Sequence, residues 1–180
     1  MIVMERGALF ATARTRGGGD RVARFEALFA AHADGVYSYA RRRTTREDAE
    51  DVVSEAFLTA WRRLDELPSE PFPWLIGVAR NVLANRRRAD HRRAALHDRL
   101  RRSARVGVVR DPGETTTDQQ NVVTALASLS AGEREVIELI AWEGLSPSEV
   151  AIALGIARAT VYVRLHRIRR QLAHAFEEGR

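Results

Sequence analysis

The sequence predicts an all-α chain of two small helical domains joined by a flexible linker. Three observations lead to this. Apolar residues recur at i, i+3, i+4 spacing along most of the 180 residues. No segment alternates convincingly with a period of two. Between the helical stretches, residues 106–120 (VGVVRDPGETTTDQQ) hold Gly, Pro, Thr and Asp without any helical period. Two halves of this size have thin cores, which a partner surface can supplement.

Residues 1–20 end in Gly17-Gly18-Gly19-Asp20 and read as a flexible N-terminal tail. The first helix follows, with Phe25, Leu28, Phe29, Val36 and Ala40 near one face and Arg41, Arg42 and Arg43 closing it. The next is the clearest in the chain. Ala49, Val52, Val53, Ala56, Phe57, Ala60, Trp61 and Leu64 keep helical spacing for more than four turns. Thr45 and Asp48 predict a capping box at its start, and Pro68 and Pro71 stop it. A third helix begins around Pro73, with Leu75, Val78, Ala79, Val82 and Leu83 as its stripe. It runs into a basic stretch: between 86 and 105 there are nine Arg against Asp90 and Asp98, a net of +7. A solvated helix face is the ordinary reading of such a run.

Beyond the linker, Val122, Leu126 and Leu129 form one stripe. Ser130 and Glu133 cap the following helix, whose apolar residues are Val136, Ile137, Leu139 and Ile140, and Gly144 ends it. Ser146, Pro147 and Glu149 are an N-cap, first helical residue and box partner for a short helix that Gly155 breaks. The last helix runs from about Ala157 to Phe176, with Val161, Leu165, Ile168 and Leu172 inward. Ala157 offers no capping side chain, so either the helix starts less firmly or Thr160 caps it one turn later. The resulting domains are 21–105 and 121–180, flanking the linker 106–120.

Composition excludes several chemistries. There is no Cys, hence no disulfide, thiol nucleophile or cysteine metal site. The five His (32, 91, 97, 166, 174) lack metal-ligand spacing, so no metal or other cofactor is expected. No nucleophile–base arrangement suggests an enzyme. No apolar run approaches a membrane span, and the N-terminus does not read as a signal peptide, so a cytoplasmic protein without membrane insertion is expected. The 29 basic residues are all Arg, the net charge is +5 and the pI is near 10.7. Guanidinium is permanently charged and shaped to grip phosphate.

Three faces carry this further. Two helices around a Gly-centred turn form a helix-turn-helix. Its second helix has no acid from 158 to 170 and turns Arg158, Ala159, Tyr162, Val163, His166, Arg167 and Arg170 outward, a face suited to the major groove. Against this stands a plain αα-hairpin with a solvated Arg face. On the second helix, Glu47, Asp51, Glu55, Leu58 and Arg62 form an acidic row with one apolar residue inside it, either a solvated face or a docking surface for a basic partner. On the third, Trp74, Arg80, Asn81 and Asn85 precede Arg86, Arg87 and Arg88. Such residues stack on bases and hold a strand's backbone, although a lone Trp in a helical stripe is ordinarily core.

Four stretches in this order resemble the sigma-70 family of bacterial RNA polymerase initiation factors, and within it the extracytoplasmic-function (ECF) group. REDAEDVVSEAFLTAW at 46–61 resembles the region that binds the polymerase clamp helices. PWLIGVARNVLANRRR at 73–88 resembles the region that melts and reads the minus-10 element. LASLSAGEREVIEL at 126–139 resembles the start of domain four, and 145–172 its minus-35 helix-turn-helix. The resemblance covers about residues 25–175.

It implies sigma domains two and four without domain three. It implies binding to core polymerase through Asp51, Glu55, Leu58 and Arg62, with the β′ clamp helices and the β flap as the partner surfaces of the whole factor. Trp74, Arg80, Asn81, Asn85, Arg86, Arg87 and Arg88 would act at the minus-10 element on the non-template single strand, with Asn81 beside the pocket for a flipped base. Arg158, Thr160, Tyr162, Val163, His166, Arg167 and Arg170 would contact the minus-35 duplex. An anti-sigma factor is a further implied partner. One departure is specific: where the family usually has Lys or Arg and then Ser after Thr-Val, this chain has Tyr162 and Val163 after Thr160-Val161, so its promoter sequence does not follow by analogy. The alternative is a standalone LuxR-type regulator, whose helix-turn-helix resembles 130–172. Its N-terminal half would be a receiver or ligand domain; no βαβ receiver pattern is present, and 46–88 would go unexplained. With no apolar anchor in about 15 linker residues, the two domains are expected to move independently.

Overall fold

The computed structural model describes residues 16–100 and 128–177, and among these it holds six α-helices and one 3₁₀ turn, with no strand. The helices are α1 (Arg16–Arg41), α2 (Arg46–Arg62), α3 (Pro71–Leu100), α4 (Ala131–Ala141), α5 (Pro147–Leu154) and α6 (Arg158–Glu177). The stretch read as a linker, 106–120, and the stripe at 122–126 lie outside the described residues. Two compact units result, Met1–Ser69 and Glu70–Arg180.

In the first unit α1 packs on α2 across a four-residue connection. Val36 and Ala40 of α1 and Ala49, Val52, Ala56, Phe57 and Ala60 of α2 are buried. Edge-on rings join the helices: Phe25 lies 6.2 Å from Phe57 and 5.2 Å from Trp61, and Phe29 4.7 Å from Phe57. Helix α1 starts at Arg16, earlier than Asp20, although glycines cost helix stability. Its first described contacts hold it down. Arg21 donates to Asp65 Oδ2 (2.6 Å) and to the Trp61 carbonyl (2.7 Å), and Arg24 to Asp65 Oδ1 (3.0 Å). The Trp61 carbonyl is one of the acceptors that the end of α2 leaves open.

The start of α2 differs in detail from the expected box. Thr45 Oγ1 accepts from the Asp48 N–H at 3.3 Å, but the Asp48 carboxylate accepts from the Thr44 and Thr45 hydroxyls (3.2 and 2.9 Å). Aspartate is one methylene shorter than the glutamate that completes such a box. Helix α2 ends at Arg62, and the 3₁₀ turn Leu64–Glu66 carries the chain toward the prolines.

In the second unit, α3 begins at Pro71, where a missing N–H costs nothing, and continues through the basic run to Leu100. Both boxes further on form as expected. Ser130 with Glu133 opens α4, and Ser146 with Glu149 opens α5, with Pro147 in the first turn. Gly155 sits at φ +64, and the Gly155 and Ile156 N–H groups donate to the Ile152 and Ala151 carbonyls. Only glycine adopts that conformation at little cost. The core of α4–α6 is Leu129, Val136, Leu139, Leu145, Val150, Leu154, Val161 and Ile168, all buried.

Helix α3, which the sequence reading assigns to the N-terminal domain, packs against α5 within this unit. A Cβ at Gly77 would lie 3.0 Å from the Ala153 carbonyl oxygen. The compact units therefore divide before α3, whereas the sequence-based boundary lies at 106–120.

Candidate nucleic-acid and polymerase interfaces

Helix α6 begins at Arg158, with the Thr160 N–H donating to the Ala157 carbonyl at 2.9 Å. Ala157 is thus the last residue outside the helix, and Thr160 lies inside it instead of capping it. The faces divide as the periodicity predicts. Val161 and Ile168 are buried, while Arg158, Ala159, Thr160, Tyr162, Val163, His166, Arg167 and Arg170 are exposed. Tyr162 and Val163 expose about half their surface, 49% and 51%. The Arg158 guanidinium lies 5.8 Å from the Tyr162 ring centroid and donates to its hydroxyl at 3.5 Å.

Arg164 has a different task from its neighbours. It is half-buried and donates to the Gly132 carbonyl at 3.4 Å, tying α6 to the start of α4. Glu133 lies in the same region and is buried. Its carboxylate accepts from the Ser130 N–H (3.0 Å) and hydroxyl (2.5 Å). The Ser130 hydroxyl and backbone bonds, aided by Arg167 and Arg164, hold its pKa below the usual carboxylate value. Glu149 is lowered in the same way by Ser146. These boxes fix the two helices against which α6 is set.

On α3, Asn81, Asn85, Arg87 and Arg88 are exposed, and Trp74 and Arg86 are half-buried. Arg88 Nη2 donates to Asn85 Oδ1 at 2.6 Å. Arg80 is engaged. Its Nε and Nη2 donate to the two carboxylate oxygens of Glu135 on α4, at 2.6 and 3.1 Å. Sequence reasoning missed Glu135, because 55 residues separate the pair and no local pattern connects them. On α2, Asp51, Glu55, Leu58 and Arg62 are all exposed, Leu58 to 45%. Among the described residues there is no cluster of acids or histidines able to hold a metal ion, and no helix long and apolar enough to cross a membrane.

A capped helix-turn-helix with a basic outer face belongs to the DNA-binding transcription factors, and a separate helix pair carries an exposed acidic row. The family models agree: residues 28–94 match sigma-70 region 2, and residues 119–172 match sigma-70 region 4. The chain belongs to the sigma-70 family and is an ECF sigma factor, a class of transcription regulators rather than enzymes. It is 34% identical over 156 residues to the ECF RNA polymerase sigma factor SigL of Mycobacterium tuberculosis, covering 84% of this chain and 88% of the relative. It is 30% identical over 165 residues to the RNA polymerase sigma factor CnrH of Cupriavidus metallidurans, covering 83% and 84%. Two solved structures are similar. One is the sigma factor RpoE with the anti-sigma factor NepR from Bartonella quintana (26% identity, TM-score 0.58, 87% of this chain and 98% of that one). The other is CnrH with the cytosolic domain of CnrY (28%, 0.51, 88% and 97%). A match to region 2 accounts for the segment that a standalone LuxR-type regulator leaves unexplained.

Proposed function

We propose that the chain binds core RNA polymerase, recognises minus-35 and minus-10 promoter elements and promotes DNA melting for transcription initiation. The observation that carries this reading is the exposed, acid-free outer face of α6 behind a capped short helix and a left-handed Gly155 turn. Arg158, Arg167 and Arg170 have the charge and reach for phosphates or guanine edges. Thr160, Tyr162, Val163 and His166 are the other groups offered to the groove. Asn81 and Asn85, with Trp74 and the Arg80 and Arg86–Arg88 guanidiniums, supply hydrogen bonds, stacking and charge for an unwound strand. Affinity for that strand offsets the cost of unstacking it. Asp51, Glu55, Leu58 and Arg62 are the proposed docking row for the clamp helices of the β′ subunit, and domain four meets the β flap. The working modules are 21–105 and 121–180, in line with the two family matches, with 106–120 as their connection.

An anti-sigma factor is the proposed regulatory partner. The similar sigma factor RpoE was solved with the anti-sigma factor NepR, and the exposed Leu58 gives such a partner an apolar anchor. The site of action is the cytoplasm, where polymerase and promoter are. Run-off transcription with core polymerase on genomic promoter fragments tests the reading. Initiation should depend on the protein and fail with Asn81→Ala and with Asp51→Arg. Initiation that survives both substitutions would overturn the residue roles. No initiation, with tight unaided binding to a duplex site, would overturn the function.

A further inference from the structure

Arg80 is proposed above as a contact for the unwound strand, yet in the free chain a carboxylate occupies it. Both Glu135 oxygens face the guanidinium, at 2.6 and 3.1 Å, in the bidentate geometry that a phosphate would otherwise take. One guanidinium edge serves one such partner at a time. The same face of α3 is held by a second contact. Gly77, one turn before Arg80, lets α3 approach the backbone of Ala153, and a Cβ there would meet the Ala153 oxygen at 3.0 Å and Cα at 3.5 Å. Ala153 is itself buried. The two contacts differ in kind, one charge-based and one steric, and both join α3 to the α4–α6 unit.

We propose that Glu135 is an internal phosphate mimic, which with the Gly77–Ala153 contact latches α3 onto the helix-turn-helix unit and withholds Arg80 from single-stranded DNA in the free protein. The masking rests on the minus-10 reading above; the latch itself does not. The side chains of Arg80 and Glu135 keep 35% and 26% of their surface in solvent. The pair is therefore screened by salt and reversible, as a latch requires. A nucleic-acid strand brings several phosphates where Glu135 brings one carboxylate, so it displaces Glu135 once α3 engages it. The latch keeps the free factor from binding single strands at random.

The absence of cysteine makes the test direct, because two introduced thiols label the full chain uniquely. Spin labels at Arg92→Cys on α3 and Gln171→Cys on α6, both exposed positions, report the separation by pulsed electron resonance. The labelled parent should give one narrow distance population. Glu135→Gln and Gly77→Ala should each move it toward longer, broader distances. Gly77→Ala also raises the helix propensity of α3, so its effect is not one of a melted helix. The charge swap Arg80→Glu with Glu135→Arg should restore the narrow population. A distribution unchanged by both single substitutions would overturn the proposal. In parallel, a short fluorescein-labelled single strand of mixed sequence should bind Glu135→Gln roughly three- to tenfold tighter than wild type at low salt. Equal binding by the two would overturn the masking. If no variant binds the strand while the distances still shift, the minus-10 reading falls and the latch stands.

Discussion

Glu133 offers the sharpest test of how the helix-turn-helix unit is held. Its carboxylate is buried and accepts two hydrogen bonds from Ser130, while Ser130 Oγ accepts the Glu133 N–H at 3.3 Å. Glu133→Gln keeps the shape and one acceptor oxygen but removes the charge that strengthens both bonds. Loss of a cap of this kind costs about 1–2 kcal/mol. In a unit this small that corresponds to a fall in Tm of roughly 5–15 °C. The pH dependence is a second signature. The folded-state pKa of Glu133 lies below the usual 4.5, so its stabilisation is complete above 4.5 and is lost as pH falls through the folded value. The Gln variant has no such dependence at this site, so the gap between the two proteins should be widest near neutrality and close in acid. Thermal melts of the full chain followed by tryptophan fluorescence, from neutral pH down to the acid limb, measure both. A Gln variant within about 0.5 kcal/mol of wild type, with a superimposable pH profile, would refute this account of how α4 is capped.

Three further expectations concern the same unit. Leu139→Ala removes a fully buried side chain and should cost about 2–5 kcal/mol in urea denaturation. Gly155→Ala places a Cβ at φ +64 and should destabilise by about 1–2 kcal/mol, read from the same unfolding curves. Arg167→Ala should weaken holoenzyme binding to minus-35 duplexes of different sequence alike. It should also lower the slope of log affinity against log salt by about 0.9, if Arg167 meets phosphate.

Much of the architecture is legible from local signals, because local chemistry decides it. Serine and glutamate three residues apart announce α4 and α5, and glycine at 155 marks the left-handed turn between α5 and α6. The periodicity of α6 sorted every outward residue correctly, because a solvated face and a core face differ in polarity over several turns. The ends were less legible. Helix α1 starts before Asp20 even though the glycines at 17–19 argue for a tail. Aspartate 48 reads as a box residue, but its carboxylate takes hydroxyl donors instead. The packing of α3 on α5 was not legible at all. One of its contacts is the approach of Gly77 to Ala153, and a glycine inside a helical pattern carries no address for its partner. The expectation of independent domains followed from a segment without apolar anchors. The Gly77–Ala153 approach and the Arg80–Glu135 pair are backbone proximity and charge, which hydrophobic patterning does not register.

The length of α3 gives its glycine contact a mechanical meaning. The helix is a single rod from Pro71 to Leu100, and Gly77 lies near one end of it. From Gly77 to Arg88 is about 16 Å at 1.5 Å per residue. A tilt of about 12° pivoting at Gly77 sweeps Arg88 through roughly 3.4 Å, the axial rise per base pair of duplex DNA. Gly77 thus serves as the fulcrum of a lever. A small rotation near one end of the helix becomes a displacement of several ångströms at its arginine-rich stretch.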